Sequence, residues 1–367
     1  MARHRPAVIL GEMGIGIEGN LACQAHCGNH VTSIHRHFIC NFVPNMGNQL
    51  RFVQRASPAF GSVTEKDFAQ CVFHGPVKRA RAIVGFPERQ MSEKPVIIIT
   101  GCSSGIGAYC AGALHRDGWR VFATVRRIAD MAALENQGIE TLIMDYTKPE
   151  TIAALVDTVA ARTGGRIDAL FNNGAYGQPG AVEDLPVEAL RAQFETNVFG
   201  WHDLTRRVIP FMRARGAGRI VHCSSILGLV PYRYRGAYTA SKFALEGLGV
   251  TLRMELQGSG IHVSLIEPGP ITSKFTTTAL AHINEHIDLE NSAHAAEYKR
   301  QLARMDGSGP VNRHKLGPDA VYAVLKHALT AAKPKPHYPV TVPAKQGLIL
   351  KRLLPAGLFY RLLRRFD

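Results

Sequence analysis

The 367-residue chain has no apolar run approaching the 18 or more residues that a helix needs to cross a bilayer. Its basic N-terminus is followed only by a short AVIL segment, too brief for the core of a signal peptide. Cysteine is scarce: the seven are odd in number and irregular in spacing, which argues against a disulfide framework and for a reducing cytoplasm. No five like charges stand in a row and no internal repeat is evident. The formal charge of +14 is spread along the chain, so an anionic cofactor and a basic tail account for it and nucleic acid is not the expected partner. What the chain does have is 46% hydrophobic against 20% charged residues, enough for a packed core.

Residues 1–90 differ from the rest. They hold four of the seven cysteines and six of the sixteen histidines, without sustained helical or strand periodicity. Gly14, Gly16 and Gly19 match GxGxxG, but no convincing helix or second strand follows. Cys23, His26, Cys27, His30, His35, His37 and Cys40 are metal-ligand types whose spacing fits no regular zinc pattern, so no metal is expected. The economical reading is a non-native or disordered extension, with Met91 as the natural start of a 277-residue domain. A partner-recruiting metal module is the competing reading of this segment.

From Met91 the pattern is regular. Pro95–Thr100 reads as a β-branched strand, the turn 101–107 (GCSSGIG) is glycine-rich, and AYCAGALHRDG has helical period and closes on Gly118. Gly101, Gly105 and Gly107 let the backbone turn tightly and approach a pyrophosphate seated on the helix N-terminus, with Ser103, Ser104 and Ile106 lining the same turn. Further strands are expected at Arg120–Arg126, Ile139–Asp145, Ile167–Asn172, Gly218–Ser225, Ile261–Glu267 and His337–Pro343, with helices at 149–163 and Glu183–Phe199 between them. This alternation predicts one α/β domain, a Rossmann-type doubly wound parallel sheet with helices on both faces. At the end of the second strand, where an acid would receive a ribose hydroxyl, stand Arg126 and Arg127; a guanidinium there favours a 2′-phosphate, so NADP(H) is preferred, with NAD(H) the alternative. Asp145 is placed for the adenine side or as a helix cap. Residues 273–316 are expected to form a lid or a surface loop, and 345–367 a basic amphipathic tail that packs on the domain, meets a subunit partner or lies on a membrane surface.

The chemistry gathers between Ser225 and Lys242. Tyr238 and Lys242 are four apart, one helical turn from each other on one face. A lysine ammonium is expected to favour the phenolate, bringing a general acid/base into range, while Ser225 holds a carbonyl oxygen beside it. A lone YxxxK is more often a surface pair; the company it keeps here is what lends it weight.

Residues 96–270 closely resemble the short-chain dehydrogenase/reductase superfamily. TGCSSGIG at 100–107 resembles its cofactor turn, Asn197, Ser225, Tyr238 and Lys242 fall where its catalytic tetrad falls, and Pro268-Gly269 matches its turn beside the nicotinamide. SLIEPGPI and YPVTVP…LKRLLP are similar to a branch holding retinol, 17β-hydroxysteroid and bacterial NADP-dependent aldehyde reductases. The resemblance implies hydride transfer between nicotinamide and an apolar aldehyde, ketone or alcohol, with Tyr238 as acid/base. It implies that Lys242 binds the nicotinamide ribose and lowers the tyrosine's pKa, that Ser225 orients the carbonyl, and that Asn197 holds a helix kink and a proton-relay water. Asn173, Gly174, Ile271 and Thr272 join the implied cofactor contacts, and a homodimer or homotetramer is implied. Two departures stand out: the family's NNAG is Asn172, Asn173, Gly174, Ala175 here, and Ser273, preceded by Thr272, replaces the threonine after the PG turn. A cofactor-binding sensor without catalysis is the alternative function.

Overall fold

The computed structural model describes residues 94–305 and 314–364. The Gly14–Gly19 turn, the Cys23–Cys40 cluster and the question of a leader lie outside them. Seven strands form one parallel sheet: β1 Val96–Ile99, β2 Arg120–Val125, β3 Glu140–Ile143, β4 Ala169–Asn172, β5 Gly218–Cys223, β6 Ile261–Glu267 and β7 His337–Pro339. Their spatial order is β3-β2-β1-β4-β5-β6-β7, every neighbouring pair parallel. A parallel sheet is covered on both faces, which is why β1 reads VIII and β4 ALFN with no polar alternation and all eight residues buried.

The helices follow as the alternation predicts. The first five are α1 Gly105–Arg116, α2 Ala132–Glu135, α3 Pro149–Thr163, α4 Val187–Phe194 and α5 Gly200–Arg215; α6 Gly236–Glu255, α7 Phe275–His286, α8 Ala295–Met305 and α9 Pro318–Thr330 follow. The chain closes with α10 Val342–Leu353 and α11 Ala356–Leu363. Helix α1 packs beside α9, and α3 beside α5. Gly164 and Gly216 end α3 and α5 with left-handed φ of 62° and 65°, a conformation without steric cost only for glycine. Strand order reverses between β1 and β4, and open parallel sheets take ligands in the crevice outside the carboxyl ends of such strands.

Two expectations change. The helix expected at Glu183–Phe199 begins later, after a 3₁₀ turn Val182–Asp184, and its last five residues, Glu195–Phe199, form a π turn. The strand expected at His337–Pro343 stops at Pro339, because Thr341 Oγ1 accepts a hydrogen bond from Ala344 N at 3.4 Å and caps α10, with Pro343 in its first turn. The described residues of 273–316 contain the two helices α7 and α8, and Ile283, Ile287 and Tyr298 form a second small core with Ala181 and Tyr234. Asp184 fastens it, accepting from Tyr298 Oη at 2.5 Å and Ser292 Oγ at 2.6 Å.

Candidate active site

The turn after β1 is shaped by what cannot fit in it. Gly101 has φ 68°, and a Cβ there would lie 2.4 Å from Gly174 Cα; a Cβ on Gly107 would lie 2.3 Å from Gly101 O. Ser104 enters α1 extended, its hydroxyl makes no cap, and the first turn carries no acid. The helix therefore presents N–H groups and its positive end to an anion, and this glycine-shaped cradle fits a dinucleotide pyrophosphate. Gly105, φ 59°, lies against Ser273, so the segment after β6 crosses the turn.

Thr100 ties this turn to β4. Its Oγ1 accepts from Asn173 N at 2.8 Å, Gly174 N at 3.1 Å and Tyr146 Oη at 2.7 Å. Asn173 Nδ2 donates to Thr100 O at 3.0 Å and Gly101 O at 3.3 Å, so its side chain braces the cofactor turn. The exchanged Gly174-Ala175 order has a steric reason: a Cβ at 174 would meet Gly101 Cα and Tyr146 Cε2, both at 3.2 Å. Tyr146 needs a second glycine as well, since a Cβ on Gly200 would lie 2.4 Å from Tyr146 Cβ.

The two arginines after β2 are not equivalent. Arg127 forks onto Asp130, Nε to Oδ2 at 3.0 Å and Nη2 to Oδ1 at 2.9 Å, while remaining 77% exposed. Arg126, also exposed, is outside that fork, and together with Lys274 it adds to the positive field at Asp130, whose carboxyl is held below its ordinary value chiefly by the hydrogen bond from Arg127. Asp145 acts as a turn cap: its Oδ1 accepts from Thr147 N at 3.0 Å and Thr147 Oγ1 at 2.9 Å.

Asn197, fully buried, sits in the π turn, where the widened helix lets its side chain reach the loop after β4. Its Oδ1 accepts from Tyr176 N at 3.3 Å, and its Nδ2 donates to Tyr176 O at 3.0 Å and Ser241 Oγ at 3.2 Å. Ser241 Oγ in turn donates to Tyr238 O at 2.8 Å, linking the turn to the tyrosine's helix. Ser225, just past β5, accepts from Leu227 N at 3.1 Å and neighbours the Tyr238 phenol. Lys242 is 1% exposed; its Nζ donates to Cys223 O at 2.8 Å and stands 4.3 Å from the centre of the Trp201 ring. Trp201 Nε1 donates to Gly174 O at 2.7 Å, so one indole supports both the ammonium and the cofactor loop.

The expected lowering of the tyrosine pKa is not what this geometry produces. Burial, reinforced by Cys223, lifts the Tyr238 phenol well above its ordinary range, and the Ser225 hydroxyl opposes this only in part. Lys242 Nζ is 5.6 Å from the Tyr238 ring centre and pinned to a carbonyl, while burial pulls its own value down to about 8. His222, stacked on Trp201, is kept neutral, its value brought down to about 3 by burial and by Lys242.

The loop after β6 closes the far side. Pro268 O accepts from Ile226 N at 2.9 Å, and a Cβ on Gly269 would lie 2.1 Å from Thr341 Oγ1, so that position is held to glycine. Ile271 bridges to Leu316, and Thr272 N donates to Leu316 O at 2.9 Å. Phe275 then stands edge-on to Tyr238 and against Gly177. Sequence reasoning missed Thr100, Tyr146 and Trp201 as braces; the one available signal was a bulky aromatic directly after the expected third strand, where a small cofactor-side residue would serve.

A profile of the short chain dehydrogenase family matches residues 95–284. The chain is 39% identical over 268 residues to an uncharacterized oxidoreductase, YbbO, of Escherichia coli (strain K12), covering 73% of this chain and 93% of that one. It is 34% identical over 258 residues to the 17-beta-hydroxysteroid dehydrogenase type 1 of Homo sapiens, covering 67% and 77%. Among solved structures, a short-chain dehydrogenase from Streptomyces avermitilis superposes with a TM-score of 0.57 at 30% identity, covering 70% of this chain and 92% of that one.

Proposed function

The chain belongs to the short-chain dehydrogenase family, oxidoreductases acting on CH–OH and C=O groups with NAD(P), and from that premise we propose an NADP(H)-dependent enzyme for an apolar aldehyde, ketone or alcohol. The observation that carries this reading is the grouping of Asn197, Ser225, Tyr238 and Lys242 beside the glycine cradle at the carboxyl ends of the central strands. When bound, the nicotinamide supplies or accepts the hydride. Gly101, Ser103, Ser104, Gly105, Ile106 and Gly107 would hold the pyrophosphate; Asn173, Gly174, Pro268, Gly269, Ile271 and Thr272 would line the path to the nicotinamide. Arg126 would meet the 2′-phosphate.

In the reducing direction Tyr238 gives its phenolic proton to the substrate oxygen while the Ser225 hydroxyl holds that oxygen in place. Lys242, its Nζ held on Cys223 O and 5.6 Å from the ring centre, acts on the phenolate that remains through its field and not by contact, and Asn197 keeps α6 and the loop after β4 in register so that the proton can be replaced. Leu227, Leu229, Val230, Phe275 and Leu280 give the substrate side its apolar character.

Helices α10 and α11 carry Lys345, Lys351, Arg352 and Arg361, with Arg364 just past the end of α11 and no acid from 342 to 364, while Ile349, Leu353, Leu358 and Tyr360 are exposed. Such a basic, apolar surface supports peripheral contact with anionic lipid. No helix among the described residues is long and apolar enough to cross a membrane. Cytoplasmic location and assembly as a homodimer or homotetramer complete the proposal.

The test is consumption of NADPH by the purified protein with medium-chain aldehydes, NADH run in parallel. Turnover with NADPH supports the whole reading; turnover only with NADH keeps the enzyme and removes the role of Arg126. Failure to bind either cofactor refutes it.

A further inference from the structure

Beneath the catalytic lysine lies a second group of ionisable side chains that the proposed reaction does not use. Glu246 is one helical turn beyond Lys242 on α6 and 7% exposed; Glu267 ends β6 and is fully buried. His337, from β7, joins them: its Nδ1 is 2.7 Å from Glu267 Oε1 and 3.6 Å from Glu246 Oε2. Glu267 Oε2 accepts from Tyr338 N at 2.9 Å, so that carboxylate is satisfied on both oxygens. Glu246 is not. Both its oxygens are buried and lack a hydrogen-bond partner; the Ser224 hydroxyl is close enough to favour the charge but outside hydrogen-bond geometry.

A carboxylate buried without hydrogen bonds persists only when opposite charge answers it. The groups facing this cluster can be named element by element. From β5 come His222 and Cys223, both neutral, since burial holds the imidazole down and lifts the thiol to about 11. From α6 come Lys242 and Tyr238, from β6 Glu267, from β7 His337. Arg253 also acts on His337, but its guanidinium donates to Val263 O and Pro334 O. The two carboxylates thus share one ion-pair partner, His337, and the nearest further cation is Lys242, one turn away on α6 and outside ion-pair distance of either. Without the Glu246 charge, the buried Lys242 ammonium is left with the Cys223 carbonyl and the face of Trp201 to hold it.

We propose that Glu246, seated against the Glu267–His337 pair, is a positioning residue that keeps Lys242 charged and directed at its site. It touches neither substrate nor cofactor; it acts through Lys242. His337 is the exposed end of the group, with its side chain 35% exposed, so the ion pairs run from Glu246, one turn from the lysine, out to solvent. Glu246 itself is raised to about 7 by burial and by Glu267. It is neutral in mildly acidic solution and charged above neutrality, where Lys242, pulled down to about 8, begins to lose its proton. Support for the ammonium therefore arrives in the pH range where it is needed. The inference rests on the reading of Lys242 as the catalytic lysine.

The experiment titrates Lys242 directly in the full chain by NMR of ¹³Cε-labelled lysine, its resonance identified by loss in Lys242→Met, and needs neither cofactor nor substrate. In Glu246→Gln the midpoint should fall, by on the order of one pH unit. His337→Gln, which leaves the two carboxylates facing each other without their imidazolium, should delay ionisation of Glu246 and lower the midpoint in the same direction. NADPH affinity, followed by fluorescence, should show a wild-type to Glu246→Gln ratio that grows about tenfold from mildly acidic to mildly alkaline pH. An unchanged midpoint in Glu246→Gln with native circular dichroism overturns the proposal. So does stoichiometric uptake of zinc by the wild type that Glu246→Gln abolishes, which would make the three side chains metal ligands. Absence of NADPH binding by the wild type would instead refute the proposed function, leaving the titration to decide this point alone.

Discussion

Phe275, the first residue of α7, stands edge-on to Tyr238 with ring centroids 5.3 Å apart and planes at 62°. The segment after β6 therefore reaches back over the proposed acid/base rather than lying on the outer surface, and it excludes water from one side of the phenol. Replacing Phe275 by Ala removes an aromatic contact worth about 1 kcal/mol beyond its area. We expect a loss of about tenfold in kcat/KM, carried mostly by KM for the apolar substrate, in steady-state kinetics. A change confined to cofactor KM would assign Phe275 elsewhere.

Tyr238→Phe keeps the ring, its packing and its contact with Phe275. General acid catalysis contributes about 10²–10⁴-fold, so kcat should drop by that factor while NADPH still quenches protein fluorescence with near wild-type affinity. Equal loss of binding and turnover would mean the hydroxyl serves structure.

Arg126→Ala and Arg127→Ala should separate. A hydrogen bond to a charged group contributes about 1.5–3 kcal/mol, so loss of Arg126 should raise KM for NADPH by roughly 10- to 100-fold and leave NADH unaffected. Arg127 is committed to Asp130, and its removal should change the NADPH preference far less. The comparison of both cofactors in each variant reads this directly.

The pH dependence of stability has a sign fixed by the buried groups. Glu246 is raised to about 7, so the folded state holds its proton more tightly than the unfolded chain; that contribution is complete below the ordinary glutamate value and lost as pH rises through 7. His337, raised by its hydrogen bond to Glu267, acts alike: its stabilisation is present below the ordinary histidine value and lost as pH passes its folded one. Lys242, lowered to about 8, works oppositely, since the unfolded chain binds the proton better between 8 and the ordinary lysine value, and stability recovers as pH rises there. His222, brought down to about 3, opposes Glu246 over much of this range, since the unfolded chain binds its proton better up to the ordinary histidine value. The Glu246 part is therefore read as a difference: the Tm of Glu246→Gln relative to the wild type should rise as pH passes through 7, and a difference that stays constant there would contradict the assignment.

Gly174 and Tyr146 form a coupled pair. Gly174→Ala places a methyl 3.2 Å from Tyr146 Cε2 and from Gly101, and should cost about 1–3 kcal/mol, read from denaturant midpoints. In a Tyr146→Val background part of that cost should vanish, giving a coupling of about 0.5 kcal/mol or more. Strict additivity would mean that Gly101 alone sets the requirement for glycine.

Much of this was legible beforehand because it is local. A buried β-branched run, a glycine turn and a helical period announce strand, turn and helix over six to fifteen residues, and the 149–163 helix is observed with those bounds. Element ends were less legible, since they turn on side-chain caps: Thr341 converts an expected strand end into the start of α10. The role of Tyr146 was hidden because its partners, Thr100, Asn172, Gly174 and Gly200, come from three other parts of the chain.

By itself the sequence determined the alternation of strand and helix, the glycine cradle and the one-turn spacing of Tyr238 and Lys242, all consequences of backbone geometry within a single element. The tertiary structure decided where charge resides. Lys242 is turned onto Cys223 O and over Trp201 instead of onto the phenol, and Glu246, Glu267 and His337 are brought together from α6, β6 and β7. The physical reason is that sheet register and burial set both the distances between these groups and the dielectric around them, and neither is a property of neighbouring residues in the chain.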